Sequence, residues 1–313
     1  MTPGFSLRQL SYLVAIADHG TMTAAAAVCH VSQAAVSVGI IDLERQLGAK
    51  LLARHRGHGV TLTEVGAEVV RDARQLLDLA ADLQSRARTH GRGLAGRLRL
   101  GCYTTLAPFY LPQLRDAFTE KFPDVEVDVT EGGQEDLQRM LRAGECEVAL
   151  TYDTGLGSAL PRRVVRVFNP YFLLSANHPL ADRPTLSIRD LADYDMIVYG
   201  VPPSPENARK MIEDAGLDTR IAHMSSNIEV VRSLVARGTG YTTLVQRWPS
   251  NVSLEGLPLV CKPVTPPAPE YRVVVAWSDT ARLSRRAEEF IQFSERMAAW
   301  TPGREGATAP LGP

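Results

Sequence analysis

What this 313-residue chain lacks narrows its function first. Its four cysteines, Cys29, Cys102, Cys146 and Cys261, lie far apart and form neither a CxxC pair nor any zinc-ligand spacing. That excludes a disulfide-stapled scaffold and reads as a reduced, cytoplasmic protein. Net charge is nearly absent as well, at −1, so the chain is not basic throughout, and any affinity for nucleic acid must come from a local patch. No uncharged apolar run reaches the roughly 18–20 residues of a membrane helix. The start, MTPGFSLRQL, lacks the basic residues and apolar core of a signal peptide. GxSxG, Walker and HExxH motifs are missing, and the seven histidines are scattered without ligand spacing. No metal or cofactor is implied, and an enzyme would have to assemble its site from residues distant in sequence.

What is present is concentrated in Ser6–Gly66. Leu7, Leu10, Leu13, Val14 and Ala17 have helical spacing, with Ser6 as cap and Gly20 as stop. A short alanine-rich helix at Thr23–Val28 and a tight turn at Cys29–Val31 follow. A third helix, Ser32–Leu47, is opened by a serine cap and closed by Gly48. It is predicted to bury Ala35, Val36, Ile40, Leu43 and Leu47. Leu51–Ala53 and Val60–Leu62 flank RHRGHG as a basic hairpin. Two short helices across a turn, then such a hairpin, form the layout of a winged helix-turn-helix, which sets one helix into the major groove of DNA. The stretch also leans positive: Arg8, Arg45, Lys50, Arg54 and Arg56 stand against Asp18, Asp42 and Glu44, with His55 and His58 nearby.

Thr63 and Gly66 start a long helix running to about Thr89. Val69, Ala73, Leu76, Ala80, Leu83 and Ala87 alternate intervals of four and three, a heptad seam that reads either as a dimerising coil or as packing on its own domain. Arg71, Asp72, Arg74, Asp78 and Asp82 fill its other faces. His90–Gly96 (HGRGLAG) reads as a hinge. From Arg97 the pattern changes to strand-like runs such as RLRLGCY, VEVDVTE, EVALTYD, MIVYG and YRVVVAW. Helical segments lie between most of them: Leu106–Lys121, Gln134–Ala143, Glu206–Ala215, Ile228–Ala236 and Arg282–Ala298. That alternation argues for α/β layering with largely parallel sheets, in two linked subdomains.

LRQLSYLVAIADHGTMTAAA, HVSQAAVS, LERQLGAKL and VTLTEVG resemble the N-terminal signature of the LysR-type transcriptional regulators. GRLRLG, the LP of YLPQL, FPDVEV, LRAGECEVAL, NHPLA and LVARGTGYTTL continue the resemblance in order over nearly the whole chain. The resemblance implies an all-α winged helix-turn-helix over 1–65 and a dimerising linker helix and hinge over 66–92. It further implies an α/β effector domain shaped like periplasmic binding proteins over 93–300. Subdomain I would take about 93–164 and 268–300, subdomain II about 165–267, and the Pro- and Gly-rich 301–313 is expected to be disordered. Homodimers, typically joined into tetramers, are also implied. At two places the chain departs from the family. Proline is usual where Ala34 stands, and polar or basic residues are frequent where Val38, Gly39 and Ile41 stand. Gly39 in mid-helix is expected to cost roughly 0.5–1 kcal/mol relative to alanine.

Ser32, Gln33 and Ser37 lie on the first turns of the third helix, the part that reaches base edges. Glutamine pairs bidentately with adenine, and serine with several bases; Ser32 has the plain alternative of capping. Arg54 and Arg56 in the wing fit phosphate or minor-groove contacts, which supply salt-sensitive affinity. Thr23 and Thr63 read as helix caps with phosphate contact as an added role.

For the effector, Thr104 and Thr105 precede a helix N-terminus and suit a carboxylate. Tyr152 and Asp153 follow a strand, Ser226 and Asn227 precede another helix, and Gln246 follows strand Thr239–Val245. All correspond to the family's effector site, in the crevice between subdomains. Asp153 argues against a dianion and suits an amine. Capping or turn formation is the structural alternative at each. The reading is a cytoplasmic bacterial regulator with operator DNA and a small, carboxylate-containing effector as partners, and RNA polymerase as a further candidate. The alternative is a cytoplasmic solute-binding protein or enzyme on the same fold, which would have no use for a helix-turn-helix.

Overall fold

The computed structural model describes residues 4–55, 59–88, 93–280 and 282–297. Arg56, part of the expected hinge, and the tail expected to be disordered lie outside the described residues. In chain order the elements are α1 (Leu7–His19), α2 (Met22–Val28), α3 (Gln33–Leu47), β1 (Leu52–His55), β2 (Gly59–Leu62) and α4 (Glu64–Arg88). Then come β3 (Gly96–Tyr103), α5 (Ala107–Lys121), β4 (Val125–Gly132), α6 (Gln134–Arg142), β5 (Val148–Tyr152), β6 (Arg162–Phe168) and β7 (Tyr171–Ser175). A short 3₁₀ turn (Ile188–Leu191) leads to β8 (Met196–Tyr199), α7 (Ser204–Asp214), β9 (Ile221–Ser225), α8 (Ile228–Ala236), β10 (Thr242–Leu244), β11 (Leu259–Pro263), β12 (Tyr271–Trp277) and α9 (Arg285–Met297). The chain divides into two compact units. The first is Met1–Leu150 with Ser158–Arg162 and Val275–Ser294; the second is Thr151–Gly157 with Arg163–Val274 and Glu295–Pro313.

In the first unit α1, α2, α3 and the N-terminal part of α4 enclose one core of Leu10, Leu13, Ile16, Ala25, Val36, Ile40, Leu43, Leu51, Val70 and Ala73. β1 and β2 pair antiparallel as the wing. Further along, β3 runs parallel to both β4 and β5. Phe118 packs edge-on against Phe290 and Phe293 on the helical side. In the second unit β8 and β9 are parallel, but β10 and β11 both flank β7 antiparallel. The expectation of largely parallel sheets fails there. YFLLS in β7 is buried at every position, and a continuous apolar run reports burial on both faces, not strand direction. β9 escaped the sequence pattern because most of it is exposed.

One expectation for the linker helix needs correction. Val69 and Ala73 pack into the winged-helix core instead of forming a seam, while Leu76, Leu79 and Leu83 are exposed farther along. The charged residues on its other faces are not all solvated. Arg74 is 7% exposed and pairs with Asp18 of α1, while its Nη1 donates to the Ala143 carbonyl at 2.6 Å. Asp78 accepts two bonds from Arg99 of β3, at 3.1 and 2.8 Å. Asp82 pairs with Arg286 of α9, which is 1% exposed. Burial works against the charge on Arg99, but Asp78 and Glu147 outweigh it and raise its pKa. Burial and the neighbouring Asp78 push the Glu147 carboxyl up, although Arg99 and a 2.5 Å bond from Ser284 Oγ oppose this.

A further carboxylate holds the wing. Glu44, near the end of α3, is buried, and its Oε1 accepts the amides of Leu51 and Leu52 at 2.9 and 3.2 Å. Its other oxygen takes Lys50 Nζ at 2.7 Å. Close by, Gly66 lets α4 approach the wing: a Cβ there would lie 2.0 Å from the Leu51 carbonyl oxygen.

Two outcomes follow. Arg286→Met leaves Asp82 buried without its cation and should lower stability by about 3–5 kcal/mol in urea unfolding, with Asp82→Asn in the same chain restoring part of it. Glu44→Ala strands two buried amides and should cost about 1–3 kcal/mol at neutral pH. Burial raises the Glu44 carboxyl, but Lys50 and the two amides outweigh it and lower its pKa below the ordinary 4.5. Its stabilising contribution is therefore complete above 4.5 and is lost as pH falls through the lower folded value. Urea midpoints of wild type and Glu44→Ala should converge as the pH is taken below that range.

Candidate functional site

The DNA-reading module is built from caps outward. Ser6 Oγ accepts the Gln9 amide while Gln9 Oε1 accepts the Ser6 amide, a capping box that starts α1. Gly20, at φ 74°, ends it. α2 begins at Met22 and is capped by Thr21, whose Oγ1 accepts the Ala24 amide at 3.1 Å. Thr23 is therefore not the cap but an exposed residue of the first turn. α2 and α3 meet at 105°, inside the range of helix-turn-helix pairs. Ser32 caps α3, accepting the Ala35 amide at 3.1 Å. Gln33, the first helical residue, is exposed, and Ser37 is half-buried. Thr63 Oγ1 donates to the Lys50 carbonyl at 2.7 Å and accepts the Gly66 amide at 2.9 Å, so its structural role is explicit. Arg54 stands in β1 opposite Val60.

Helix α3 has sharply different faces. Val36, Ile40 and Leu43 point into the core, joined by Glu44. Ala35, expected to be buried, is exposed, because it lies on the flank of that stripe. Gly39 also departs from expectation. A Cβ at that position would lie 2.9 Å from Tyr12 Cδ2, so the residue faces α1 and its smallness lets the two helices approach. It does not occupy a place where a polar side chain could reach DNA. The spacing 36, 40, 43 already carried this signal, since position 39 adjoins that stripe. On the opposite face Ala34, Val38, Ile41 and Arg45 are exposed, and Arg45 pairs with Asp42.

The effector candidates fall in both units. In the first, β3 delivers Thr104 and Thr105 just ahead of α5. Thr104 is exposed and Thr105 half-buried, and neither caps the helix: the cap position is Leu106, which makes no side-chain cap bond. In the second unit Tyr152 and Gln246 are brought together. Gln246 Nε2 donates to the Tyr152 hydroxyl at 3.0 Å, with the two residues 5% and 6% exposed. The Gln246 carbonyl accepts the Tyr171 hydroxyl at 2.7 Å, and Arg247 lies over the Tyr171 ring. Asp153 is half-buried and its amide donates to the Arg272 carbonyl at 2.8 Å. Ser226 is exposed. Asn227 is also exposed, but its side chain caps α8 by accepting the Glu229 amide at 3.0 Å. Sequence spacing could not have paired Tyr152 with Gln246 across 94 positions.

Burial pushes the Cys102 and Cys146 thiols up to about 12, so neither is ionised near neutral pH. GRGLAG at 91–96 spells a dinucleotide-binding pattern, yet it follows helix α4 and runs into strand β3, the reverse of the strand-then-helix order that binds a pyrophosphate. Among the described residues no group of three or more His, Cys, Asp or Glu could hold a metal ion, and no single helix is long and apolar enough to cross a membrane.

Known proteins resemble the chain along both parts. The bacterial regulatory helix-turn-helix protein, LysR family, matches residues 7–67, and the LysR substrate binding domain matches residues 91–299. HinK, a LysR family transcriptional regulator from Pseudomonas aeruginosa, is 30% identical and superposes with a TM-score of 0.63 over 94% of this chain and 99% of its own. A full-length, singly substituted OxyR from the same organism is 25% identical, with a TM-score of 0.73 over 93% of this chain and 98% of its own. The DNA-binding transcriptional dual regulator OxyR of Escherichia coli K12 is 28% identical over 294 residues, 92% of this chain and 94% of the relative. These relatives are transcriptional regulators, not enzymes. With both matched segments on a winged helix and an α/β effector domain, this chain belongs to the LysR family of DNA-binding transcriptional regulators.

Proposed function

We propose that this regulator reads its operator through Ser32, Gln33 and Ser37, grips it through Arg54 and Arg56, and answers to a small molecule bearing one carboxylate. The observation that carries the carboxylate is the start of α5. Its cap position holds Leu106 with no side-chain cap bond, and two threonines directly precede it. Pro108 removes one first-turn donor and the Phe109 amide goes to the Leu106 carbonyl, so the support for an anion there is the two threonine hydroxyls and the positive end of the helix dipole. α8 differs, since Asn227 already caps it. Within the second unit, the buried Tyr152–Gln246 pair supports polar recognition, and Asp153 favours an amine over a second acid group. Leu76, Leu79 and Leu83, exposed on α4, support a homodimer through that helix. A tetramer, contact with RNA polymerase and a cytoplasmic location complete the reading.

The readout half is tested by gel-shift titration on selected and scrambled duplexes. Arg54→Ala should weaken binding to both alike and reduce the log–log salt slope by about one. Gln33→Ala should change the preference between them; an unchanged ratio would remove Gln33 from the readout. The effector half is tested by thermal shift against small carboxylates, amino acids and uncharged analogues. A ligand at about a hundred times its Kd stabilises by about 2.7 kcal/mol. Thr104→Val with Thr105→Val should abolish the shift, and absence of a shift with every anion would overturn the carboxylate assignment.

A further inference from the structure

The outward face of α3 carries apolar side chains where a DNA-reading helix ordinarily needs hydrogen-bonding ones. Val38 is 66% exposed and Ile41 50% exposed. With Ala34 they follow one another at intervals of four and three, so they form one stripe opposite Val36, Ile40 and Leu43. Because Gly39 is turned against Tyr12, Val38 stands at the centre of that outward face. From Ala34 to Ile41 the stripe covers about 10 Å of helix, comparable to about three base steps along one strand. Its polar flanks are Gln33 ahead and the Asp42–Arg45 pair behind.

We infer that Val38, flanked by Ile41 and Ala34, reads thymine by contact with its C5-methyl group. This rests on α3 being the helix that enters the major groove. Each base pair shows a different pattern there, and thymine alone presents a methyl. A valine placed against the N4 amine of cytosine or the edge of a purine strips water from a polar group and returns no hydrogen bond. Against a methyl, both surfaces leave water favourably. An isoleucine and a valine exposed side by side gain nothing in the free protein, whereas a methyl-bearing edge covers them. The operator should accordingly be thymine-rich opposite the middle of α3, and the missing polar side chains at 38 and 41 are a change in what is read.

The test removes methyls from the DNA. Full-length protein is used to enrich duplexes from a randomised library, and the enriched duplex is remade with deoxyuridine for thymidine. Wild type should bind the deoxyuridine duplex more weakly, by about fourfold for each contacted methyl. Val38→Ser should bind the thymidine duplex more weakly and lose the distinction between the two. Serine is about as good a helix residue as valine, so folding is not the readout; Ile41→Ser serves as a second variant with a smaller effect. Equal binding of both duplexes by wild type, or a distinction that survives in Val38→Ser, would overturn the inference and leave DNA reading by α3 intact. A Val38→Ser protein with altered oligomeric state in sedimentation and unaltered binding would overturn it too, assigning the stripe to a protein contact. Failure to enrich any duplex over the starting library would overturn the DNA reading on which it rests.

Discussion

Helix α4 carries Asp78 and Asp82 into a part of the first unit with little access to water, and Arg99 and Arg286 meet their charges there. A buried ion is tolerated only while its partner stays in reach. The register of α4 along the α/β layer is thereby determined, since sliding by one turn would separate both pairs. Arg74, a turn earlier, uses one nitrogen for Asp18 at the end of α1 and another for the Ala143 carbonyl after α6. One helix is thus tied by charge to the DNA-reading helices and to the effector layer of the same unit. Glu147 lies in the same cluster with its carboxyl pushed up by burial and by Asp78. Three carboxyls thus share two arginines, and removing either arginine would leave a poorly hydrated carboxylate without its cation.

The recognition helix answers to constraints on both sides. Inward, Val36, Ile40 and Leu43 fill the core, Gly39 admits Tyr12, and Glu44 closes the wing by taking the amides of Leu51 and Leu52. None of these can change without moving the helix or the hairpin. Outward, Gln33, Val38 and Ile41 are exposed and carry no packing duty. On the proposed reading, the apolar choice exchanges hydrogen-bond readout for sensitivity to methyl groups, and the wing arginines supply affinity through charge.

Much of the fold was legible because its signals are local. Ser6, Ser32, Gly20 and Gly48 delimit helices where their side-chain oxygens or left-handed backbones predict. α8 runs from Ile228 to Ala236 as its spacing predicts. Alternation of strand and helix was enough for the α/β class. Strand direction around β7 was not legible, since burial on both faces looks alike in parallel and antiparallel surroundings. Nor was the burial of Arg74 and Asp82, which belong to the polar face of a heptad pattern and find partners as much as 204 residues away. In the candidate site, Thr104, Thr105, Ser226 and Asn227 could be named from their places beside helix starts. Which of them a cap already occupies needed the backbone.

By itself the sequence determined the module order, the position of the recognition helix and the family, and placed the helix ends to within a few residues. Each of these follows from periodicity, caps or motif order within a few residues of chain. The tertiary structure alone decided that Gly39 faces Tyr12, that Gln246 meets Tyr152, and that α4 docks through buried ion pairs. Those outcomes depend on which distant side chains share a low-dielectric space, where an unpaired charge or a clash of 2.9 Å is costly enough to select one arrangement.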